Sequence, residues 1–143
     1  MTLRVERVTK EFVNRTWPFV EKYLADALTF GDPSPPEMQT YRVEHMRDWV
    51  MRGDWALYVA VDENSQIKGA ATVLFYNEPL HRIAFVTAIG GRLIIDKNTL
   101  AQFDALLIGN GATLIQAMGR DSIVRLWRKF GFSKCNTMVE RLL

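Results

Sequence analysis

The sequence predicts a single α/β domain, residues 1–143, in which about four helices flank a mixed, mostly antiparallel and splayed sheet. Three observations predict this fold class. First, the apolar residues keep helical spacing up to Gly53 and alternate after it. Second, three strand-like segments follow Gly53 and are separated by short turns. Third, a strand–helix–strand pattern comes after these segments. The length allows one domain, and 48% hydrophobic with 24% charged residues is ordinary globular composition.

Composition and motif content exclude several classes of protein. The apolar runs are far shorter than the roughly 18 residues of a membrane-spanning helix, and no secretion signal opens the chain, so we expect a cytoplasmic protein without membrane contact. Cys135 is the only cysteine, which leaves no disulfide framework. His45 and His81 are the only histidines, so the usual metal-ligand patterns are missing and we expect no metal.

The first two predicted elements are a strand and a long helix. Leu3, Val5 and Val8 lie among polar residues and predict a strand over residues 2–8. A helix running to about residue 28 follows, because its apolar positions recur at three- and four-residue spacing. These positions are Phe12, Thr16, Phe19, Val20, Tyr23, Leu24 and Ala27. Pro18 lies inside the pattern and is expected to kink or restart the helix.

A second helix is predicted after the proline-rich residues 31–36. Ser34 and Glu37 form a capping-box pattern, and Pro35 suits a first helical turn. Apolar and aromatic residues at Met38, Tyr41, His45 and Trp49 keep helical spacing until Gly53 ends the helix.

Three antiparallel strands are predicted next, over residues 55–61, 67–76 and 82–89, because the turns between them are short. Gly90 and Gly91 interrupt the third strand, either as a bulge or as a site of close backbone approach.

The remaining elements alternate between helix and strand. Leu100, Phe103, Leu106 and Leu107 predict a helix that residues 109–111 end. Residues 112–117 look like a buried strand, placed parallel to the third strand of the meander by the helical crossover. Ile123, Leu126, Trp127 and Phe130 predict a short helix closed by Gly131, and residues 137–142 are predicted to complete the sheet.

This order of elements resembles the GNAT acyltransferase superfamily over essentially the whole chain. The resemblance is densest at residues 126–132, Leu-Trp-Arg-Lys-Phe-Gly-Phe, where a helix ends at glycine and a phenylalanine packs back on the sheet. The resemblance implies that acetyl-CoA or another acyl-CoA binds as co-substrate in the gap where the fourth strand splays from the next parallel strand. The acceptor it implies is an amine of a small molecule or a protein.

The phosphate-binding loop of active members is missing from this chain. That loop reads Arg or Gln, two residues, Gly, any residue, then Gly or Ala, and its N–H groups bind the pyrophosphate at a helix N-terminus. Residues 89–99 read Ile-Gly-Gly-Arg-Leu-Ile-Ile-Asp-Lys-Asn-Thr, so the glycines precede the arginine and bulky residues follow it. Asp96 adds a negative charge near the phosphates, for which Lys97 compensates only partly.

Two further positions depart from the family pattern. Trp127 replaces the tyrosine with which many members protonate the departing thiolate, and an indole cannot serve as that acid. Gly119-Arg120-Asp121 replaces a frequent asparagine before the same helix. These features, with Gly-Gly-Arg after the meander, resemble the small GNAT-like proteins of tailed bacteriophages and prophages.

The resemblance implies candidate cofactor contacts at the strand end, the following helix and the last helix; they are Ile89, Gly90, Gly91, Lys97, Asn98 and Arg120. The alternatives are that the two glycines kink the strand for packing and that the basic residues 120–134 form a solvated surface. No catalytic residue is assigned. Glu44 and Glu78 are candidates to attract a cationic amine or relay its proton, and the alternative for each is an ordinary surface carboxylate.

Two functions of different classes remain open, so whether the chain is an enzyme is undecided. One is an N-acyltransferase of reduced or altered activity, in which a bound amine attacks the thioester directly. The other is a non-catalytic GNAT-fold protein of phage assembly or interaction, located in the host cytoplasm or the virion, with a phage protein or a second copy as partner. Nucleic-acid binding through residues 120–134 is a third, weaker interpretation.

Overall fold

The computed structural model describes residues 2–31 and 35–143. Within them, five strands form one sheet in the order β1-β2-β3-β4-β5. The strands are β1 (Arg4–Val8), β2 (Ala56–Val61), β3 (Ile67–Asn77), β4 (Arg82–Gly91) and β5 (Leu114–Ala117). The first four pair antiparallel and β5 pairs with β4 in parallel, which confirms the predicted meander and crossover.

Four α-helices lie in the described part of the chain: α1 (Val13–Gly31), α2 (Val43–Arg52), α3 (Lys97–Gly109) and α4 (Asp121–Arg128). Short 3-10 turns at Lys10–Phe12 and Pro36–Met38 precede the first two. The predicted fold class, a mixed α/β domain around a mostly antiparallel sheet, is confirmed. None of the described helices combines the length and the apolar character that crossing a membrane requires.

The sheet separates two hydrophobic cores, and β2 contributes to both because successive side chains point to opposite faces. Leu57 belongs to the core under α1 and α2, together with Leu24 and Met46. Tyr58 belongs to the core under α3, where its ring meets Phe103 edge-on at a centroid distance of 5.4 Å. Every residue of β2 is buried, as expected for an interior strand covered on both faces.

The helix α2 begins later than the sequence predicts. Residues 36–38 form a 3-10 turn, and the backbone is extended at Gln39 and at Arg42, so the helix starts only at Val43. Pro36 disfavours helix at Pro35, but residues 37–42 contain no proline, so proline does not explain the extended backbone at Gln39 and Arg42. Ser34 of the predicted capping box lies outside the described residues. His45 instead accepts a hydrogen bond from the Arg42 backbone N–H at 2.9 Å.

The helix α1 continues past Pro18 rather than restarting there. Pro18 is the sixth residue of the helix, so its missing N–H removes one intrahelical bond, the one to the Asn14 carbonyl. The predicted ends at Gly53 and Gly131 are confirmed: both glycines have left-handed φ angles, 84° and 92°.

The predicted last strand, residues 137–142, is wrong for this structure. Residues 133–143 have no regular secondary structure and are all exposed, and Phe132 packs on Trp127 instead of the sheet. A strand forms only where a partner completes its hydrogen bonds, and β5 pairs with β4 alone among the described residues. The strand β5 is accordingly shorter and less buried than predicted.

Candidate cofactor and substrate site

The strands β4 and β5 separate partway along β4 and leave a gap. Their pairing runs from Ile83 opposite Leu114 to Val86 opposite Ala117, whereas β4 continues to Gly91. Beyond Val86, no described strand pairs with β4 on the β5 side. A gap at the carboxyl ends of parallel strands is the usual position of a ligand in an α/β sheet.

A β-bulge at Thr87 lies where the gap opens. Thr72 of β3 pairs with Ala88 and Val73 pairs with Val86, so Thr87 has no opposite residue. The bulge reverses which face the strand presents, because Val86 packs in the α3 core and Ala88 in the core under α1 and α2. The sequence suggested a bulge at Gly90 and Gly91; the bulge lies at Thr87, three residues before Gly90.

Thr87 is held by hydrogen bonds from two sides. Its hydroxyl lies 2.7 Å from the Thr72 hydroxyl and donates to the Thr72 carbonyl at 3.0 Å. Its own carbonyl accepts a hydrogen bond from the Tyr41 hydroxyl at 3.2 Å. The Tyr41 ring packs edge-on against Trp49 and Trp55, with centroids 5.3 and 5.4 Å away. These aromatic residues thus connect the α2 layer to the bulge.

Tyr41 was not recognised as a site residue from the sequence, because its spacing to His45 and Trp49 placed it on a helix. The structure places it in the extended segment before α2. No local signal reports this contact, since it joins residues that are far apart in the sequence.

Gly90 and Gly91 lie at the end of β4, paired with Ala70 and Gly69 of β3. A Cβ atom on Gly90 would collide with the backbone carbonyl of Tyr23 in α1, and Gly91 has a φ of +70°. Packing against α1 and β3 therefore explains why these residues are glycines. This agrees with the interpretation that the two glycines serve packing of the strand. Their contact with an acyl-CoA stays a prediction.

The loop between β4 and α3 is built into the core rather than open to a ligand. Leu93 is fully buried in the core under α3, and the Arg92 backbone N–H donates to the Lys68 carbonyl at 2.9 Å. A Cβ atom on Gly69 would lie 2.7 Å from the Arg92 nitrogen, so the loop backbone rests directly on β3. The bulky residues of this loop thus have a structural role.

Asp96 caps the N-terminus of α3. Its carboxylate accepts a hydrogen bond from the Thr99 N–H at 2.8 Å, and the Thr99 hydroxyl accepts from the N–H groups of Ile95 and Asp96 at 3.1 and 3.3 Å. The cap leaves the first-turn N–H groups of Lys97 and Asn98 for an anion, beside the Asp96 charge. Both of these predicted residues are exposed.

Arg120 is the N-cap residue of α4, just after β5, and is exposed. The fold therefore brings the predicted strand-end, α3 and α4 contacts to one end of the sheet, at the carboxyl ends of β4 and β5.

Trp127 is half-buried, with its ring centroid 5.2 Å from that of Phe132, and α4 supplies no tyrosine hydroxyl. Among the basic residues of this region, Lys134 lies 3.8 Å from Asp121.

The candidate carboxylates are on the surface. Glu44 is in the first turn of α2, 3.3 Å from Arg42, and a hydrogen bond from its own backbone lowers its pKa. Its carboxylate therefore stays charged, which suits attraction of a cationic amine better than removal of its proton. Glu78 is exposed in the turn before β4, where its N–H donates to the His81 carbonyl. Within residues 2–31 and 35–143, no three side chains of the metal-binding types cluster.

Comparison with known proteins gives matches by structure only. The sequence matches no protein-family model and no curated protein. An aminoglycoside acetyltransferase from an uncultured soil metagenomic sample superposes with a TM-score of 0.67 at 14% identity, over 99% of this chain and 95% of that one. Glucosamine-6-phosphate N-acetyltransferase from Arabidopsis thaliana superposes with a TM-score of 0.64 at 11% identity, over 99% of both chains.

A probable acetyltransferase is similar to the same degree, with a TM-score of 0.64 at 14% identity over 98% of this chain and 96% of that one. At these identities the likeness establishes the fold. The chain has the fold of the GNAT acetyltransferases, over essentially its whole length.

Proposed function

We propose that this protein is an acyl-CoA-dependent N-acyltransferase, with acetyl-CoA as the first candidate donor. The observation that carries the proposal is the gap beside β4, which opens at Val86 with the Thr87 bulge at its mouth. The GNAT fold supports the same donor class, because the acetyltransferases of this fold use acetyl-CoA.

The residues around the gap fit an acyl-CoA in part. The backbone of Thr87–Ile89 has no strand partner on the β5 side. Apart from the Thr87 carbonyl, which accepts from Tyr41, the polar groups on that side are available to a pantetheine arm and an acyl carbonyl. The N–H groups of Lys97 and Asn98, with the Lys97 and Arg120 charges, are available to the pyrophosphate. Asp96 opposes that binding.

Catalysis in this proposal depends on positioning. Bound acyl-CoA supplies an activated thioester, and the chain orients an amine against it and polarises the carbonyl through the β4 backbone. With Trp127 in place of a tyrosine, α4 offers no tyrosine hydroxyl to protonate the departing thiolate, which slows the reaction without forbidding it. Glu44, ionised and exposed, contributes by attracting a cationic acceptor.

A second candidate is a non-catalytic GNAT-fold protein that acts through partners, for example in phage assembly. The Asp96 cap favours it, because the carboxylate occupies one N–H of the helix terminus and repels a phosphate from the others. The absence of an acid hydroxyl on α4 favours it as well.

Calorimetric titration with acetyl-CoA and with free CoA distinguishes the two candidates. We expect binding that Lys97→Glu weakens and Asp96→Ser strengthens, each several-fold, because the two changes move charge in opposite directions at the α3 N-terminus while serine keeps the cap. Lys10→Glu is the matched control, since Lys10 is exposed beside β1 at the opposite edge of the sheet. The absence of heat at millimolar ligand would overturn the enzyme proposal for these donors.

A further inference from the structure

A groove lies between α1 and the start of β3. Its volume of about 500 Å³ is within the range of small-molecule binding sites. One wall is a face of α1, and the other is formed by residues 65–68, where the β2–β3 turn leads into β3. The gap is on the β5 side of β4, whereas β3 is the neighbour of β4 on the other side. The groove is therefore separate from the proposed acyl-CoA site and shares no residue with it.

The groove is positively charged, because Arg15, Lys22 and Lys68 line it. Arg15 and Lys22 form no ion pair with a described residue. Each lies over an aromatic ring instead: the guanidinium carbon of Arg15 is 5.4 Å from the Phe12 centroid, and Lys22 Nζ is 4.9 Å from the Tyr23 centroid. A ring holds a cation in place without cancelling its charge, so both remain available to an anion.

The third cation, Lys68, is only partly neutralised. Its Nζ lies 3.8 Å from the Asp62 carboxylate, which also accepts hydrogen bonds from the N–H groups of Asn64 and Gln66, both at 2.9 Å. The carboxylate is thus shared among three donors. Two cations without an ion pair and one that shares its partner favour a ligand with more than one negative charge.

An exposed aromatic side chain lies between the two cations of α1. Phe19 follows Arg15 by four residues and precedes Lys22 by three, so the three side chains share one face of the helix. The Phe19 side chain is 62% exposed and contacts no described aromatic ring. A planar ring that stacks on it gains apolar burial and an aromatic contact.

We propose that this groove binds a free nucleoside phosphate, with the base packed on Phe19 and the phosphate held by the cations Arg15, Lys22 and Lys68. The stacking surface and the cations lie in one groove, as a ligand with a planar ring and a phosphate requires. The two walls are joined before any ligand binds, because the Tyr23 hydroxyl donates to the Ile67 carbonyl at 3.2 Å.

The surroundings of the groove favour a single nucleotide over a nucleic-acid strand. Glu21 and Asp26 of α1 and Glu63 of the β2–β3 turn are exposed carboxylates close to the groove residues in the chain. A strand that extended beyond the groove would bring further phosphates near these carboxylates, which repel them. A mononucleotide avoids this repulsion.

Calorimetric titration with AMP and with adenosine tests the proposal. We expect AMP to bind about ten-fold more tightly than adenosine, because adenosine lacks the phosphate. Lys22→Glu should weaken AMP binding by roughly ten-fold or more, since it reverses a charge in the groove. Lys129→Glu is the matched control and should leave AMP binding unchanged, since Lys129 is exposed at the end of α4. No heat at millimolar AMP, or equal effects of the two variants, would overturn the proposal.

Variants of Phe19 test the stacking surface. Phe19→Leu should weaken AMP binding several-fold, because leucine is apolar but offers no ring, whereas Phe19→Tyr should retain it. Circular dichroism should show both variants folded, since the side chain is mostly exposed. Equal AMP affinity of the two variants would contradict stacking on Phe19. An adenylate tetranucleotide that binds more tightly than AMP would contradict a mononucleotide site.

Acyl-CoA also carries a nucleoside phosphate, so the two proposed sites need to be distinguished. Lys97→Glu should weaken acetyl-CoA binding and leave AMP binding unchanged, because Lys97 is at the start of α3 and does not line the groove. Weaker AMP binding in this variant would contradict the groove as the AMP site. If AMP binds as expected and acetyl-CoA does not bind, the acyltransferase proposal fails and the nucleotide site stands.

Discussion

Single glycines show how closely the layers of this protein approach each other. The backbone of α1 lies so near the end of β4 that a Cβ atom on Gly90 would collide with the Tyr23 carbonyl. Backbone cannot move aside as a flexible side chain can, so the contact fixes a glycine at this position. The sequence could show that two glycines interrupt a strand, but not which neighbour requires them.

A comparison of two glycine variants tests this contact. Gly90→Ala should lower the free energy of unfolding by about 2 kcal/mol or more, because the added methyl group has no space. Gly109→Ala, in α3 with nothing within 4 Å of the added atom, should be neutral or raise it by roughly 0.5–1 kcal/mol. Urea unfolding curves measure both; an equal effect of the two changes would contradict the close approach of α1 and β4.

At the scale of elements, one buried side chain, that of Leu93, anchors the loop between β4 and α3 in the core. Leu93 is fully buried in the α3 core, whereas Ile95 in the same loop is 43% exposed. Leu93→Ala should therefore lower the free energy of unfolding by roughly 2–5 kcal/mol, since it leaves a cavity. Ile95→Ala, the matched control, should change it by less than about 0.5 kcal/mol. Similar losses in denaturant titrations would mean that the loop is not packed as described.

The elements that the sequence predicted correctly are those whose signals are local. Alternating residues and short turns specify the antiparallel meander, and a helix between two strands specifies the parallel crossover. The predicted start of α2 is wrong because helical spacing continues from Met38 to Tyr41 although the backbone is extended at Gln39 and Arg42. The bulge at Thr87 depends on how β4 pairs with β3, where Thr72 lies opposite Ala88 and Val73 opposite Val86, and no local pattern reports this pairing.

The candidate site stays a prediction, but the structure shows where its residues lie. The resemblance placed its residues at the end of β4 and the starts of two helices, and the fold brings these to one end of the sheet. The Asp96 cap, the Tyr41 contact and the burial of Leu93 are tertiary features that depend on packing. The predicted last strand is missing because a strand needs a partner that the described single chain does not provide at β5.

At the scale of the whole molecule, the GNAT fold favours an acyltransferase, whereas the side chains around the gap favour a non-catalytic protein. The gap beside β4 is where the proposal puts a pantetheine arm, whereas the α3 N-terminus is capped by a carboxylate and α4 carries no tyrosine. A fold does not fix a function, so the occupancy of the gap decides between catalyst and interaction protein.

Hydrogen exchange measured by mass spectrometry, with and without saturating acetyl-CoA, tests this occupancy most directly. The account predicts slower exchange in two peptides, one covering Thr87–Gly91 of β4 and one covering Lys97 and Asn98 of α3, because the proposal places the ligand against these segments. Peptides from β1, at the opposite edge of the sheet, should exchange at the same rate in both samples. Unchanged exchange at the gap, or protection elsewhere alone, would contradict the proposed acyl-CoA site.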